Sequence, residues 1–492
     1  MKIKHIYNFK YYFLMTMVLI VNSIFSYIAL IGDLSSELVN GKIPFNIVIL
    51  SWLGIITLFF SVYTWNKVHN EIICPYVVFL FILYLFCYGQ SFGWAIGIDN
   101  FYKDLLLRET QEFIIKAQSY TLPFISLFHL GALIASRKNG KCNNISNIDN
   151  CDNKALFTIG IIFLLISMPA FLINLYTTIN LVINYGYGGI YYYKPQYSRI
   201  VNILLYAGEY FEPAVICILI SRYKNKIIRN FSLVIFILNI ITALYIGGRS
   251  GAAVSVLCIL CIWHYLIKRV NIKNAFFLGA FAYLFMGILN ATATIRGQAG
   301  HSVFDIINLT FSTGLTSISD LLGELGWSMS SVGYTMRFVP SIERFRYGST
   351  YLYGLSTIIP NLGFWDIHPA TVNAQLSNWL QSMLNISYGP GYTMIAETYI
   401  NFGWIGIALA YFEGVIIGKI LSKVNKETAH TRLSLTAFIM IFLIVGLKPL
   451  VRSSFVVAFR DIAYVLGGIY IVYVFIRNSY RKEIIKTVSK RG

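Results

Sequence analysis

Charged residues are scarce in this sequence, and their scarcity excludes a water-exposed surface. Asp, Glu, Lys and Arg make up only 12% of the 492 residues, whereas 57% are hydrophobic and 16% are aromatic. A soluble domain carries roughly a quarter charged residues. Because the apolar runs are continuous rather than alternating, we expect spanning helices of about 20 residues and not a barrel. The sequence therefore predicts an all-α polytopic membrane protein.

Cysteine pairs and nucleotide- or metal-binding motifs are also lacking. The seven cysteines lie mostly in apolar runs. Cys258 and Cys261 form a C-x-x-C inside a predicted span, where small apolar packing residues are the favoured interpretation. The chain has no GxxxxGK[ST], no zinc-ligand spacing and no GxSxG. We therefore expect neither a cofactor nor a metal, and ATP-driven chemistry loses support.

Apolar windows predict about twelve membrane spans. They lie near 11–31, 43–63, 73–98, 119–136, 155–180, 201–220, 231–247, 251–267, 275–294, 394–418, 433–447 and 455–475. This arrangement divides the chain into a membrane domain of nine helices (1–295), a large loop (296–393), three further helices (394–475) and a basic tail (476–492).

Lysine and arginine are distributed unevenly between the two sides of these spans. If the N-terminus is cytoplasmic, 25 of the 39 Lys and Arg fall on that side, in segments 1–10, 64–71, 137–154, 221–230, 268–274, 419–432 and 476–492. Basic residues collect on cytoplasmic loops of polytopic proteins. Both termini are therefore predicted to be cytoplasmic and the large loop external. The +18 net charge has this cause, so no nucleic-acid partner is expected.

The large loop is predicted to be folded rather than flexible. It is rich in aromatic and aliphatic residues, and it contains four arginines but no lysine. Short amphipathic helices are expected near 303–324 and 371–385. Breaks are expected at Pro340, Pro360, Pro369 and Pro390.

The arginines outside the predicted cytoplasmic segments indicate a phosphate ligand. A guanidinium donates two parallel hydrogen bonds to phosphate oxygens, which lysine cannot do. A charge near the membrane interface is costly unless it is paired or lines a wet cavity. The candidate ligands of a lipid-linked pyrophosphate are Arg249, Arg296, Arg337, Arg344, Arg346 and Arg452. Ion pairing and contact with lipid head groups are the alternative interpretations.

Candidate acid–base and sugar-binding residues lie on the same predicted side. A histidine has a pKa near working pH, and His368 follows Asp366 on a proline-bounded turn; a purely structural role of this turn is the alternative. Glu397 begins a predicted span and must face the protein interior. Tyr351, Trp365 and Tyr191 could stack on sugar rings, although aromatic residues also form interfacial belts.

The chain resembles the Wzy-type O-antigen polymerases, which are related to O-antigen ligases. The resemblance rests on the helix number, the large loop between helices nine and ten, and the arginine in the short Gly247–Gly251 turn. It also rests on Tyr347-Gly348-Ser349-Thr350-Tyr351, on Gly391-Tyr392, and on the run from Ala396-Glu397-Thr398 to Gly406. Arg337 and Gly348 fit an R-x10-G pattern of polymerase loops.

The resemblance implies a membrane-embedded, metal-independent glycosyltransferase of the GT-C kind. Such an enzyme would transfer an undecaprenyl-pyrophosphate-linked chain to the next lipid-linked repeat unit, on the outer leaflet of the bacterial cytoplasmic (inner) membrane. Undecaprenyl pyrophosphate would leave, and the product would be O-antigen or capsular polysaccharide. The expected partners are lipid-linked oligosaccharides, the bilayer and a chain-length regulator protein. An O-antigen ligase acting on lipid A-core and a polysaccharide flippase or transporter are the alternatives.

Overall fold

The computed structural model is predominantly helical in the residues that it describes. These are residues 2–32, 38–39, 43–98, 104–136, 146–186, 188–193, 195–270, 284–285, 287–288, 291–292, 294–295, 299–300, 302–312, 322–361, 363–386 and 389–489. A two-residue antiparallel pairing joins β1 (Leu38–Val39) to β2 (Ile43–Pro44), with Leu38 opposite Pro44.

The described helices follow in chain order. The first eleven are α1 (Lys2–Ile31), α2 (Phe45–His69), α3 (Pro75–Ala95), α4 (Gln111–Ala135), α5 (Ser146–Tyr185), α6 (Gly189–Tyr192), α7 (Arg199–Tyr206), α8 (Phe211–Ser221), α9 (Lys226–Ile246), α10 (Arg249–Ile262) and α11 (Val303–Ser312). The others are α12 (Ser330–Phe338), α13 (Ser349–Leu355), α14 (Pro369–Asn373), α15 (Leu376–Leu384), α16 (Met394–Phe402), α17 (Gly406–Leu421), α18 (Thr428–Thr431), α19 (Leu433–Phe442), α20 (Lys448–Arg452), α21 (Phe455–Asp461) and α22 (Gly467–Ser489).

The chain forms two compact units. The first unit comprises Met1–Asn139, Thr316–Lys423 and Gly446–Arg460, and so contains α1–α4, α12–α17, α20 and most of α21. The second unit comprises Gly140–Leu315, Val424–Val445 and Asp461–Gly492, and so contains α5–α11, α18, α19 and α22.

Ten described helical stretches are long and apolar enough to cross a membrane. The prediction of an all-α polytopic membrane protein is therefore confirmed. Helix α4 covers the predicted span 119–136 but is not among the ten; it buries polar residues such as Gln118 and His129. The predicted span 275–294 lies largely outside the described residues.

Buried polar side chains connect the first four helices. Asn22 Nδ2 on α1 donates to Thr57 Oγ1 on α2 (2.8 Å) and to Ser126 Oγ on α4 (2.7 Å). Gln118 Nε2 on α4 donates to Ser51 Oγ and to Ser91 Oγ on α3, both at 2.9 Å. In lipid, where no water competes, such bonds between helices contribute about 0.6 kcal/mol each on average.

Helix α17 packs on α4 through a row of small residues. Gly406, Ala410, Gly414 and Gly418 recur every four residues and are all buried. A Cβ atom at Gly414 would lie 1.9 Å from the Phe128 carbonyl oxygen, and one at Gly418 would lie 2.5 Å from the Ala132 Cα. Small residues let membrane helices approach backbone to backbone, where van der Waals packing drives association.

Gly414→Ala is expected to destabilise the protein by at least about 1–3 kcal/mol, because the added methyl group forces α17 away from α4. Thermal unfolding of the purified protein in detergent measures the loss. Gly389→Ala is the matched control, since a Cβ atom there meets nothing within 4 Å. Equal unfolding temperatures for the two variants would contradict the close packing.

The predicted span 394–418 is not one helix. Helix α16 ends at Phe402, and the chain turns at Gly403, whose φ is +58°. A Cβ atom at Gly406 would lie 2.5 Å from the Thr398 carbonyl oxygen, which a continuous helix rising 1.5 Å per residue would place far away. The chain therefore doubles back at Gly403, and the stretch Met394–Leu421, counted above as one of the ten, consists of two helices, α16 and α17. Irregular backbone of this kind is tolerated in membrane proteins where it is buried in protein or lines a cavity.

The second unit is built around the long helix α5. Arg477 Nε on α22 donates to Asp152 Oδ1 on α5 at 2.6 Å, and the Tyr480 and Thr158 hydroxyls lie 3.0 Å apart. Helices α9 and α10 are joined by Gly247 and Gly248 alone, and Gly247 has a φ of +97°. The predicted tight turn before Arg249 is therefore confirmed.

Candidate active site

Helix α16 carries a polar stripe in an otherwise apolar sequence. Thr393 caps its N-terminus, and Glu397 and Asn401 follow at intervals of four residues, which places all three on one face. Glu397 is 1% exposed and Asn401 is fully buried. A buried carboxylate is costly unless its oxygens accept hydrogen bonds, so its partners define the site.

Both oxygens of the Glu397 carboxylate accept a hydrogen bond. The Thr350 hydroxyl donates to Oε1 at 2.9 Å, and the Phe455 backbone N–H donates to Oε2 at 2.6 Å. Thr350 belongs to α13 and Phe455 begins α21. A carboxylate oxygen has two lone pairs, so each oxygen keeps one for a further donor.

Asn401 fixes the segment that carries Thr350. Its Nδ2 donates to Thr350 Oγ1 (2.7 Å) and to the Glu397 carbonyl (2.8 Å), while its Oδ1 accepts the Gly348 N–H (2.9 Å). The N–H groups of Arg346 and Tyr347 donate to the carbonyls of Ile400 and Asn401, at 2.9 and 3.0 Å. Segment 346–348 thus satisfies carbonyl groups at the end of α16.

Arg346 lies on this same segment. Its Nη1 donates to the Asn373 carbonyl at 2.8 Å, and its Nη2 lies 3.5 Å from Glu343 Oε2. The guanidinium carbon lies 5.5 Å from the centroid of the Trp379 ring, in the range of a cation–π interaction. Arg346 also interacts electrostatically with Glu397. The positive charge of Arg346 and the carboxylate of Glu397 therefore belong to one site.

Arg452 approaches the site from the break between α20 and α21. Its Nη1 donates to Ser328 Oγ at 2.7 Å, and its carbonyl accepts the Tyr392 N–H at 3.2 Å. A Cβ atom at Gly391, whose φ is +78°, would lie 3.3 Å from the Arg452 carbonyl oxygen and 3.6 Å from Nη1. Glycine at 391 therefore allows the chain to pass close to this arginine.

Two tyrosines of the site are neutral phenols. Burial raises the pKa of Tyr351 and of Tyr392 well above the usual value of a phenol. The Tyr392 hydroxyl lies 2.8 Å from Thr335 Oγ1 on α12. The Tyr351 ring packs edge-on against Phe455, with centroids 5.3 Å apart. Neither phenol can act as a base near neutral pH.

His368, Asp366 and Trp365 form a separate turn. His368 Nδ1 accepts the Ala370 N–H, and Nε2 bonds to the Ile359 carbonyl, both at 3.1 Å. Both ring nitrogens are thus engaged by backbone groups, with the proton on Nε2. The Trp365 ring lies 4.9 Å from the His368 ring, and Asp366 is exposed. This geometry favours the structural interpretation of His368 and leaves Trp365 available for a sugar.

Two further arginines of the predicted set have different surroundings. Arg337 forms a 2.5 Å ion pair with Glu109, which also accepts a hydrogen bond from the Tyr334 hydroxyl. Its guanidinium lies 4.7 Å from the centroid of the Phe113 ring. Arg344 is exposed. Ion pairing, the alternative interpretation of these arginines, thus applies to Arg337.

Comparison with known proteins gives one match, and it covers nearly the whole chain. The family model of the O-antigen polysaccharide polymerase Wzy matches residues 12–483. The chain belongs to the Wzy family. No curated protein and no solved structure matches it. Wzy proteins polymerise O-antigen in the inner membrane, so the resemblance inferred from the sequence is confirmed.

The remaining predicted site residues of this Wzy protein stay predictions. Arg249 is 5% exposed and begins α10 in the second unit. Arg296 lies outside the described residues, as does the side chain of Tyr191. The phosphate-binding role of Arg249 and Arg296 therefore rests on the sequence.

Sequence reasoning did not single out three residues that interact with the buried Glu397, either through hydrogen bonds or electrostatically. Thr350 and Asn401 stand in the two stretches that carry the Wzy resemblance, but no role was inferred for them. Their signal was the spacing of Thr393, Glu397 and Asn401 every four residues. Glu413 on α17 was also missed; it interacts electrostatically with Glu397, and its Oε2 is buried without a hydrogen bond to any described group.

Proposed function

We propose that this protein extends an undecaprenyl-pyrophosphate-linked glycan by transferring it to the next lipid-linked repeat unit. The acceptor hydroxyl attacks the anomeric carbon of the donor, and the bond from that carbon to the pyrophosphate oxygen breaks. The acceptor proton moves to Glu397, and undecaprenyl pyrophosphate leaves with the bonding electrons. A single displacement of this kind inverts the anomeric carbon, as in a GT-C glycosyltransferase.

The observation that carries the proposal is the hydrogen bond from an alcohol to Glu397. Thr350 Oγ1 donates to Oε1 at 2.9 Å, which is the contact that a sugar hydroxyl makes with a general base before proton transfer. The buried position keeps bulk water from the base. Glu397 replaces His368 and Asp366 as the favoured proton acceptor, because both His368 nitrogens are already engaged.

The leaving pyrophosphate requires fixed positive charge. Arg346 and Arg452 are the candidates in the first unit. Arg346 interacts electrostatically with Glu397, and its backbone N–H donates to the Ile400 carbonyl. The Arg452 carbonyl accepts the Tyr392 N–H. The Arg346 guanidinium donates to the Asn373 carbonyl and lies 3.5 Å from Glu343 Oε2, and a guanidinium group has five N–H donors. Arg346 therefore offers further donors to phosphate oxygens, where preorganised charge stabilises the transition state.

The orientation of the protein in the membrane is part of the same proposal. The excess of Lys and Arg in segments predicted to be cytoplasmic supports cytoplasmic termini and an external large loop. The site then faces the leaflet on which lipid-linked repeat units are polymerised. A chain-length regulator protein stays a predicted partner.

A deletion strain tests the activity. Loss of this polymerase is expected to leave single repeat units attached to the lipid core, so the ladder of surface polysaccharide disappears above its first band. Electrophoresis of the polysaccharide, with and without the wild-type gene in trans, measures this. If no repeat unit at all is attached, the protein is a ligase. If full-length polymer persists, the proposed polymerisation is wrong.

A further inference from the structure

Asn401 has no role in the proton transfer described above, yet it makes four hydrogen bonds at the centre of the site. Its side chain accepts the Gly348 N–H and donates to Thr350 Oγ1 and to the Glu397 carbonyl, and its backbone carbonyl accepts the Tyr347 N–H. It is fully buried. Buried polar side-chain atoms in folded proteins have hydrogen-bond partners. The direction of each bond of the Asn401 side chain can therefore be deduced from the partner that it faces.

The direction of the bonds from Asn401 is fixed by the backbone. The Gly348 N–H can only donate, so the atom facing it is the amide oxygen. The Glu397 carbonyl can only accept, so the atom facing it is the amide nitrogen. That nitrogen therefore also donates to Thr350 Oγ1 at 2.7 Å.

The direction of the next bond follows. A hydroxyl has one proton, and Thr350 already accepts one from Asn401. Its own proton is therefore directed to Glu397 Oε1, at 2.9 Å. The chain of donors runs from Asn401 through Thr350 to the carboxylate. It holds the side chain of Glu397 in one orientation, with one lone pair of each oxygen free.

We propose that Asn401 is a positioning residue of the polymerase, which acts on Glu397 through the Thr350 hydroxyl. The inference rests on the proposed function of Glu397. The Asn401 side chain also accepts the N–H of Gly348, whose φ is +85°, so one side chain holds the Thr350 hydroxyl and a backbone group two residues after Arg346. The orientation of the proton acceptor and the position of an arginine for the leaving group are thereby coupled.

Kinetics of purified variants test the proposal. The substrate is the lipid-linked repeat unit extracted from the deletion strain, and polymer formation is followed at several substrate concentrations. Asn401→Ala is expected to lower kcat by about 10²-fold, the lower end of what a positioned proton acceptor contributes, and to change KM much less. Asn401→Asp keeps the acceptor for Gly348 but loses the donor to Thr350, so it is expected to lower kcat as well.

A double-mutant cycle distinguishes positioning from a merely structural role. Thr350→Val is expected to lose as much activity as Asn401→Ala, and the double variant no more than either, because both act through one hydroxyl. Thr350→Ser, which retains the hydroxyl, is expected to restore most of the rate. Losses that multiply in the double variant, or a Thr350→Val enzyme with an unchanged kcat, would overturn the proposal.

The control is Thr398→Val on the same helix. Thr398 is fully buried, and its hydroxyl donates to the Ile395 carbonyl at 2.8 Å and lies 3.1 Å from the Tyr120 hydroxyl, so it bonds to neither carboxylate oxygen of Glu397. The kcat of the Thr398→Val enzyme is expected to remain near that of the wild type. If Asn401→Ala does not fold, Asn401→Asp and Thr350→Val still complete the test. If Glu397→Gln retains full activity, the proposed function of Glu397 fails; if Glu397→Gln is inactive and Asn401→Asp is fully active, only the role of Asn401 fails.

Discussion

Replacing Glu397 with glutamine is expected to reduce kcat of polymerisation by about 10²–10⁴-fold, the contribution typical of a general base. The amide oxygen can accept only one of the hydrogen bonds that Thr350 and Phe455 donate to the two carboxylate oxygens, and the amide cannot take up the acceptor proton. KM for the lipid-linked repeat unit should change little, because the substitution leaves the arginines in place. The rate is measured on purified protein with the extracted substrate.

The control for this substitution is Glu112→Gln. Glu112 lies in the first turn of α4, its side chain is 74% exposed, and it pairs with Lys116 one turn away. An exposed pair of this kind contributes about 0.3–0.5 kcal/mol to stability, so activity should remain unchanged. A Glu397→Gln enzyme with wild-type kcat would remove Glu397 from the reaction.

Arg346→Lys is expected to lower kcat by about 10²–10³-fold, as removal of one transition-state donor does. Lysine keeps the positive charge but loses the planar fork that binds two phosphate oxygens at once. It also loses the contact between the guanidinium and the Trp379 ring. In cells, the same substitution should shorten the polysaccharide ladder of the complemented deletion strain.

Arg222→Lys provides the comparison for Arg346→Lys. Arg222 belongs to the second unit, and its guanidinium lies 4.4 Å from the centroid of the Phe157 ring, so the substitution removes a similar contact outside the proposed site. A normal ladder is expected. If Arg346→Lys also gave a normal ladder and a normal kcat, the arginine would not contact the leaving group.

The membrane helices could be predicted from the sequence because a long continuous apolar segment has one stable conformation in lipid, the α-helix. The spans near 43–63 and 231–247 correspond to α2 and α9, and the turn at Gly247 lies where two spans meet. The break of the span 394–418 could not be predicted. Apolar residues continue after Gly403, so composition does not mark an end of the span there, and only the packing of Gly406 on Thr398 shows that the chain turns back.

Several residues of the candidate site could be predicted from the sequence, but the hydrogen bonds between them could not. Glu397 was inferred because a charged residue that begins a membrane span must face the protein interior, and Arg346 and Arg452 were inferred because a guanidinium suits a phosphate ligand. The sequence does not show that Thr350 and Asn401, which are 51 residues apart, form a hydrogen bond, since such a contact depends on tertiary packing. It also does not show that His368 bonds to two backbone groups, which requires the fold of the turn at 359–370.

The hydrogen bond between Arg452 and Ser328 has a consequence for biosynthesis. Its partners are 124 residues apart, and Glu397 receives its second donor from Phe455. A ribosome delivers the chain from the N-terminus, so Ser328, Thr350 and Glu397 are synthesised before α20 and α21 exist. The site is therefore completed among the last steps of insertion, and a nascent chain that stops before residue 448 has the carboxylate without its full set of donors.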